Sequence, residues 1–282
     1  MTVVDGHHHF WDPSKREYYW MGDEVAAIRR PFGRDDLRPL LKASGVDRTV
    51  VVQTIPSLNE TREFLATAAE TEFLAGVVGW VDLTDRTVPK TISDLRAGHG
   101  GAFLVGIRHQ VHDEPDPIWL LRKDVRQGIR AVGEAGLVYD LSVRTRELPA
   151  ALELVRSLPE MRFVIDHIGK PRIAKGATDP EWQHAIAPFS ECANVSCKVS
   201  GMVNEASWND WTTDDLRPYV RRVLGWFGTD RCIFGSDWPL CLLAGTYARV
   251  VEAAREVLKD LRQVERDSIF GSNAIRTYGL TI

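Results

Sequence analysis

Short apolar runs rich in β-branched residues recur along the chain, at 3–9, 49–53, 75–81, 104–111, 137–143, 163–168, 195–200 and 232–237. Between them, mixed segments carry apolar residues three and four apart, the spacing of one helix face. They span 35–44, 61–71, 87–97, 123–135, 147–157, 181–192 and 214–227, and another, 247–260, follows the last run. Several runs are apolar throughout, Val50-Val51-Val52 among them, as expected of parallel strands covered on both faces. Eight strands alternating with helices over 282 residues predict a (β/α)8 TIM barrel of the α/β class, a fold of ~250 residues. The rival is an open doubly wound sheet, which calls for a Gly-rich phosphate turn after its first strand. Here that position reads His9-Phe10-Trp11-Asp12-Pro13. No compositional shift or low-complexity tract divides the chain, so residues 1–282 read as a single barrel domain. Two long segments, 12–31 and 202–213, follow the first and seventh strands. Loops in that position lie on the active-site face of such barrels, and these two are expected to cover a pocket.

Composition narrows the class of protein. Hydrophobic residues make up 44% and charged residues 26%, with a formal net charge of −4. That balance fits a soluble globular chain and lacks the basic excess of nucleic-acid proteins. No run approaches the ~20 apolar residues that span a bilayer, and the first residues lack the basic and apolar regions of a secretory signal. The cysteines, Cys192, Cys197, Cys232 and Cys241, form no C-x-x-C pair. A reduced, cytoplasmic protein is expected, acting on a small molecule, with no nucleic-acid or membrane partner and with a homo-oligomer left open.

The sharpest chemical feature is Asp5-Gly6-His7-His8-His9. Strict alternation puts Asp5, His7 and His9 on one strand face and Gly6 and His8 on the other. Two imidazoles at the C-terminal end of a first strand can converge on a metal ion or on a carbonyl oxygen. A lone histidine there would read as a satisfied polar strand end; a His-x-His pair at a barrel mouth favours function. Asp237, in Phe234-Gly235-Ser236-Asp237-Trp238-Pro239, ends the last apolar run. A helix N-cap is the bland reading, but Pro239-Leu240-Cys241-Leu242 reads as a loop, which favours a general base or metal ligand. His167, in Asp166-His167-Ile168-Gly169-Lys170-Pro171, alternates with Phe163 and Ile165, with Asp166 opposite. In strand seven, Ser196, Lys198 and Ser200 point inward, and a buried Lys198 demands a carboxylate or a substrate partner. In strand four, Val105 and Ile107 face helices and Arg108 faces the interior, suited to a carboxylate or a hydroxyl-rich ligand, or to an internal salt bridge. Gln53, Trp80 and Asp140 are weaker pocket candidates, and His99, His112 and His184 read as solvated.

Together these residues resemble the amidohydrolase superfamily. The chain is most similar to the sugar-lactonase branch of the amidohydrolase-2 group, which holds L-fuconolactonases, L-rhamnonolactonases and 2-pyrone-4,6-dicarboxylate lactonases. The resemblance rests on His7-His8-His9-Phe10-Trp11-Asp12, Gly106-Ile107-Arg108-His109, Asp166-His167-Ile168-Gly169-Lys170-Pro171, Cys197-Lys198-Val199-Ser200-Gly201 and Phe234-Gly235-Ser236-Asp237-Trp238-Pro239. It implies a lactone-opening hydrolase with Asp237 as the base that activates water and His7, His9 and His167 around the carbonyl. Arg108, Lys198, His109, Gln53 and Trp238 form the expected substrate-binding set. The binuclear members' bridging residue on strand four and histidine on strand five are missing here. The resemblance therefore implies at most one divalent ion, zinc being the expected one, on His7, His9 and Asp237, and is equally compatible with metal-free catalysis. An aromatic-acid decarboxylase and a non-catalytic sugar-acid binder are the alternatives.

Overall fold

The computed structural model describes residues 1–174 and 178–282. Its strands are β1 (Val4–His8), β2 (Arg48–Val52), β3 (Leu74–Gly79), β4 (Leu104–Gln110), β5 (Val138–Ser142), β6 (Phe163–Ile165), β7 (Val195–Val199) and β8 (Cys232–Phe234). They pair in sequence order, each parallel to the next. The ring closes beyond β8, where the Asp237 amide donates to His7 O at 2.8 Å and the His9 amide to Trp238 O at 2.7 Å. The helices on the outside are α1 (Arg34–Ser44), α2 (Leu58–Ala69), α3 (Val88–Ala97), α4 (Lys123–Glu134), α5 (Leu148–Ser157), α6 (Pro180–Ile186), α7 (Thr213–Phe227) and α8 (Tyr247–Val257). The chain is thus a (β/α)8 barrel, as its apolar periodicity predicts. The helix expected over 181–192 splits into α6 and a 3-10 turn, Ala187–Glu191, with Pro188 inside that turn.

Two short helices, α9 (Gln263–Asp267) and α10 (Asn273–Tyr278), were not expected from the pattern. Between them Ser268–Ser272 forms a π turn. The final segment reaches the N-terminal end of the barrel, where Ala274, Tyr278 and Leu280 pack with Val4, Val50, Val52, Val78, Val105, Val138, Val164 and Ile233. Burying a valine contributes about 1.5–3 kcal/mol, so this dry lower layer holds the barrel together. Val105 belongs to it, contrary to the expected helix-facing position. The pairing of β3 with β4 slips between Val77 and Val78, and alternation fails there.

A second irregularity matters more. The β1–β2 register shifts between Asp5 and His8. Val4 faces the interior and Asp5 faces outward, where its carboxylate accepts from the Tyr247 hydroxyl of α8 at 3.1 Å and from the Ser236 amide at 2.8 Å. Gly6 again faces inward; a Cβ there would lie 2.7 Å from Ile233 Cγ2. The bulge then lets His7 follow it into the barrel, so Asp5 does not share a face with His7 and His9. His8 points outward to Thr49 Oγ1 at 2.8 Å.

Candidate active site

Above the apolar layer the barrel interior turns ionic. Lys198 of β7 is fully buried, its ammonium 2.6 Å from Asp140 Oδ2 and 3.0 Å from Asp166 Oδ1. Arg108 of β4 reaches Asp166 Oδ2 at 3.0 Å, and its Nε and Nη2 donate to Gln53 Oε1 at 3.0 and 2.8 Å. The Tyr278 hydroxyl of α10 donates to Asp140 Oδ2 at 2.8 Å. Burial alone would raise the Asp166 carboxyl, but Lys198, His7 and Arg108 bring it well below the ordinary range. Such a layer gives little net stability against a well-packed apolar one; what it does is fix the floor of the site. His7 stands on that floor, its Nδ1 3.3 Å from Asp166 Oδ1 and 3.1 Å from Lys198 Nζ.

The upper layer is His7, His9, His167 and Asp237. His167 comes just past the end of β6, where alternation would have set it with Phe163 and Ile165 on the helix side. Left-handed backbone at His167 (φ 53°) and Ile168 (φ 50°) turns it inward instead, and its Nδ1 bonds Ser200 Oγ at 2.9 Å. Gly201 makes room for that ring. It has a φ of +62°, and a Cβ there would lie 2.4 Å from His167 Nδ1. Asp237 also has left-handed backbone, at φ 58°.

Three imidazole Nε2 atoms converge on Asp237 Oδ1, from His9 at 3.2 Å and from His7 and His167 at 3.8 Å each. His7 Nε2 and His9 Nε2 are 3.2 Å apart. Asp237 Oδ2 accepts from the Asn204 amide at 2.7 Å, while Oδ1 is buried without a hydrogen-bond donor. His9 Nδ1 donates to Val52 O at 2.8 Å, so a neutral His9 turns its Nε2 lone pair toward Asp237. Burial lowers the pKa of all three imidazoles, that of His167 to about 4, which keeps them neutral. For Asp237, burial acts upward, and the carboxyl falls below its ordinary range only through positive charge shared with the imidazoles around it. Lone pairs converging on a carboxylate oxygen call for a shared cation, a proton or a metal ion. The donor set fits one divalent ion. Ligand atoms of His7, His167 and Asp237 lie within 4.8 Å of one another, so His167 joins the expected ligands.

These groups open into a cavity of about 160 Å³, room for roughly five waters or one small ligand. His9, His167, Asp237 and Arg108 line it. The other expected substrate contacts do not. Lys198 and Gln53 lie beneath, fully buried and spent on Asp140, Asp166 and Arg108. His109 points outward, stacked on Trp119 with ring centroids 4.4 Å apart and accepting from Trp80 Nε1 at 3.0 Å. Trp238 is buried against Phe10 and Phe32. Residues that strand patterns did not bring forward take their place: Trp11, Trp20, Thr54, Gln110, Ser142, Lys170 and Leu240. His112 is not solvated but lines the cavity too, bonded through Nδ1 to Ser142 O at 3.1 Å. The 12–31 segment covers the cavity through Trp20, and the 202–213 segment contributes Asn204. Lys170 stood inside a quoted phrase; its place after a strand end was the available signal.

The amidohydrolase family model matches residues 4–280, and the chain belongs to that family. It is 40% identical to L-fucono-1,5-lactonase of Burkholderia ambifaria over 98% of this chain and 94% of that one. It is 32% identical to L-fucono-1,5-lactonase of Burkholderia multivorans over 98% and 96%. A crystal structure of an amidohydrolase from Burkholderia multivorans with bound zinc superposes with a TM-score of 0.93 at 30% identity, covering 100% of both chains. The resemblance read from the quoted phrases is borne out.

Proposed function

We propose that this protein hydrolyses the ring ester of an aldonolactone, with Asp237 as the base that activates water. One observation carries the reading: Asp237 Oδ1, buried, without a donor, and faced by three neutral imidazoles at the edge of a small cavity. Two near-full-length relatives named as L-fucono-1,5-lactonases support the substrate class. Neither the aromatic-acid decarboxylase nor the non-catalytic binder finds support among them.

The ionised Asp237 takes a proton from water, and the resulting hydroxide adds to the lactone carbonyl carbon. Arg108 supplies positive charge from the cavity floor to the oxyanion that forms. The ring C–O bond then breaks, and the proton on Asp237 passes to the departing ring oxygen, giving a hydroxy acid. His9 in its neutral form cannot donate to the oxyanion through Nε2, because its proton lies on Nδ1. His7, His9, His167 and Asp237 are instead the residues that would hold one divalent ion such as zinc. When bound, that ion polarises the carbonyl and the attacking water.

The test is a pH-indicator assay of the purified protein on a panel of aldonolactones, with metal content measured in parallel. Acid release from one stereochemical group is expected, together with about one equivalent of divalent metal and loss of kcat after exhaustive chelation. Full kcat in metal-free protein would make the shared cation a proton and leave the lactonase standing. No release from any lactone would end the lactonase reading.

A further inference from the structure

The left-handed turn after β6 does more than bring His167 inward. Four consecutive residues, His167 to Lys170, have positive φ, the last at 50°. Such a run is strained and persists only where the surroundings enforce it. It ends by setting Lys170 in the polar wall of the cavity, beside Gln110, His112 and Ser142, where β4, β5 and β6 end. The Lys170 side chain is 13% exposed, and its ammonium makes no hydrogen bond among the described residues. Its nearest carboxylate, Glu205, is 3.8 Å away and bonded to Arg144 at 2.9 Å. The two carboxylates of the cavity are engaged elsewhere. Asp113, at the rim, accepts from the Tyr19 hydroxyl at 3.0 Å, and Asp237 accepts from Asn204 at 2.7 Å. Arg108, the other cation in the lining, spends its donors on Gln53 and Asp166. Burial weakens the hold of Lys170 on its proton, while the Glu205 and Asp237 carboxylates act to keep it charged. Lys170 is thus a charge whose loss of water nothing in the unliganded site repays.

We propose that Lys170 is a further catalytic residue: its ammonium donates a hydrogen bond to the ring oxygen of the lactone and holds the negative charge that gathers there as the C–O bond breaks. The inference rests on the lactonase reading above. Lactone opening loads negative charge onto two oxygens in turn. The carbonyl oxygen takes it when hydroxide adds, on the side of Arg108 and the imidazoles. The ring oxygen takes it when the tetrahedral adduct collapses: the electron pair of the C–O bond goes to that oxygen, and the carbonyl reforms. An aliphatic alkoxide is a strong base and leaves slowly without help. Lys170 stays protonated throughout, and the proton on Asp237 completes the new hydroxyl. A hydroxyl of the substrate is the other partner an ammonium could take, but it gains no charge in the reaction, and the Ser142 hydroxyl in the same wall suffices for it. An ammonium already stripped of water acts most strongly on charge that appears only in the transition state.

The test sets Lys170→Met, which keeps the length of the side chain and removes its charge, against the wild type on L-fuconolactone or, failing turnover of that, on the aldonolactone of the panel that the wild type opens fastest. The variant is expected to lose about 10²-fold in kcat, with KM changed less than about threefold. Its Tm is expected to stay level or rise, because an unpaired buried charge has gone, and its metal content to match the wild type. On the ring-sulfur analogue of the same lactone, whose departing thiolate is a weaker base than an alkoxide, the loss is expected to shrink below about tenfold. If Lys170→Met does not fold, Lys170→Gln carries the same comparison. A raised KM with unchanged kcat would place Lys170 on a substrate hydroxyl, overturning the inference and leaving the lactonase reading intact. Equal losses on the oxygen and sulfur rings also overturn it. Turnover of no aldonolactone by the wild type overturns both.

Discussion

Asp237 holds its carboxylate at the centre of the site from a left-handed backbone position, φ 58°. Asn tolerates that conformation better than other residues with side chains, and it keeps an oxygen for the convergence point. Asp237→Asn is therefore expected to fold with an unchanged Tm and to lose about 10²–10⁴-fold in kcat, the span of general base catalysis. Wild-type kcat in that variant would remove Asp237 from the mechanism. His7, His9, His167 and Asp237 were all legible as residue types at strand ends, but their directions were not. Alternation set Asp5 beside His7, and the bulge in β1 parts them. It set His167 apart from Asp166, and two left-handed residues bring both inward. Backbone irregularities of one or two residues are invisible to a period-two pattern. Lys170 and His112 lie past strand ends, where the pattern no longer speaks at all.

Most strands announced themselves because apolar, β-branched residues dominate them between turns, as expected of parallel strands buried on both faces, even where β1, β4, β5 and β7 carry the charged residues of the site. The C-terminal element α10 did not, since six residues make too short a helix for a periodic signal and its role comes from where it docks. It closes the base of the barrel through Ala274 and Tyr278, and it also reaches the ionic layer through the Tyr278 hydroxyl on Asp140. The element thus joins the packing of the fold to the floor of the site. Tyr278→Phe keeps the packing and removes one charged hydrogen bond, and is expected to cost about 1.5–3 kcal/mol in urea unfolding. Tyr278→Ala also opens a cavity in the dry layer and is expected to cost about 3–5 kcal/mol. If the two variants unfold at the same urea concentration, the ring packing of α10 contributes nothing and the helix is not a plug.

At the scale of the whole molecule, buried neutral imidazoles set the response to acid. Burial chiefly, with the nearby Lys170 ammonium, pushes the His112 pKa down to about 2, against about 6.5 in an unfolded chain. Below about 6.5 the unfolded chain takes up a proton that the folded protein refuses, so stability falls as pH falls, by up to ~1.4 kcal/mol per unit. His8, pushed down to about 3 by burial, acts in the same sense. Asp5 acts in the opposite one. Burial raises its carboxyl from 3.8 to about 6, so between those values the folded state holds a proton that the unfolded chain has released. That contribution strengthens the fold as pH falls through about 6, and the raised carboxyls of Asp140 and Glu60 act with it; the lowered imidazoles of His7, His9, His109 and His167 act with His8 and His112 and outnumber them, so acidification from neutrality destabilises the barrel. His112→Gln retains a donor for Ser142 O and abolishes one of these imidazole titrations. Between pH 7 and pH 5 the wild type should lose up to ~2 kcal/mol more than this variant in chemical denaturation. Equal losses would mean that the folded protein protonates His112 as readily as the unfolded chain does, and that the polar wall of the cavity is wetter than its packing implies.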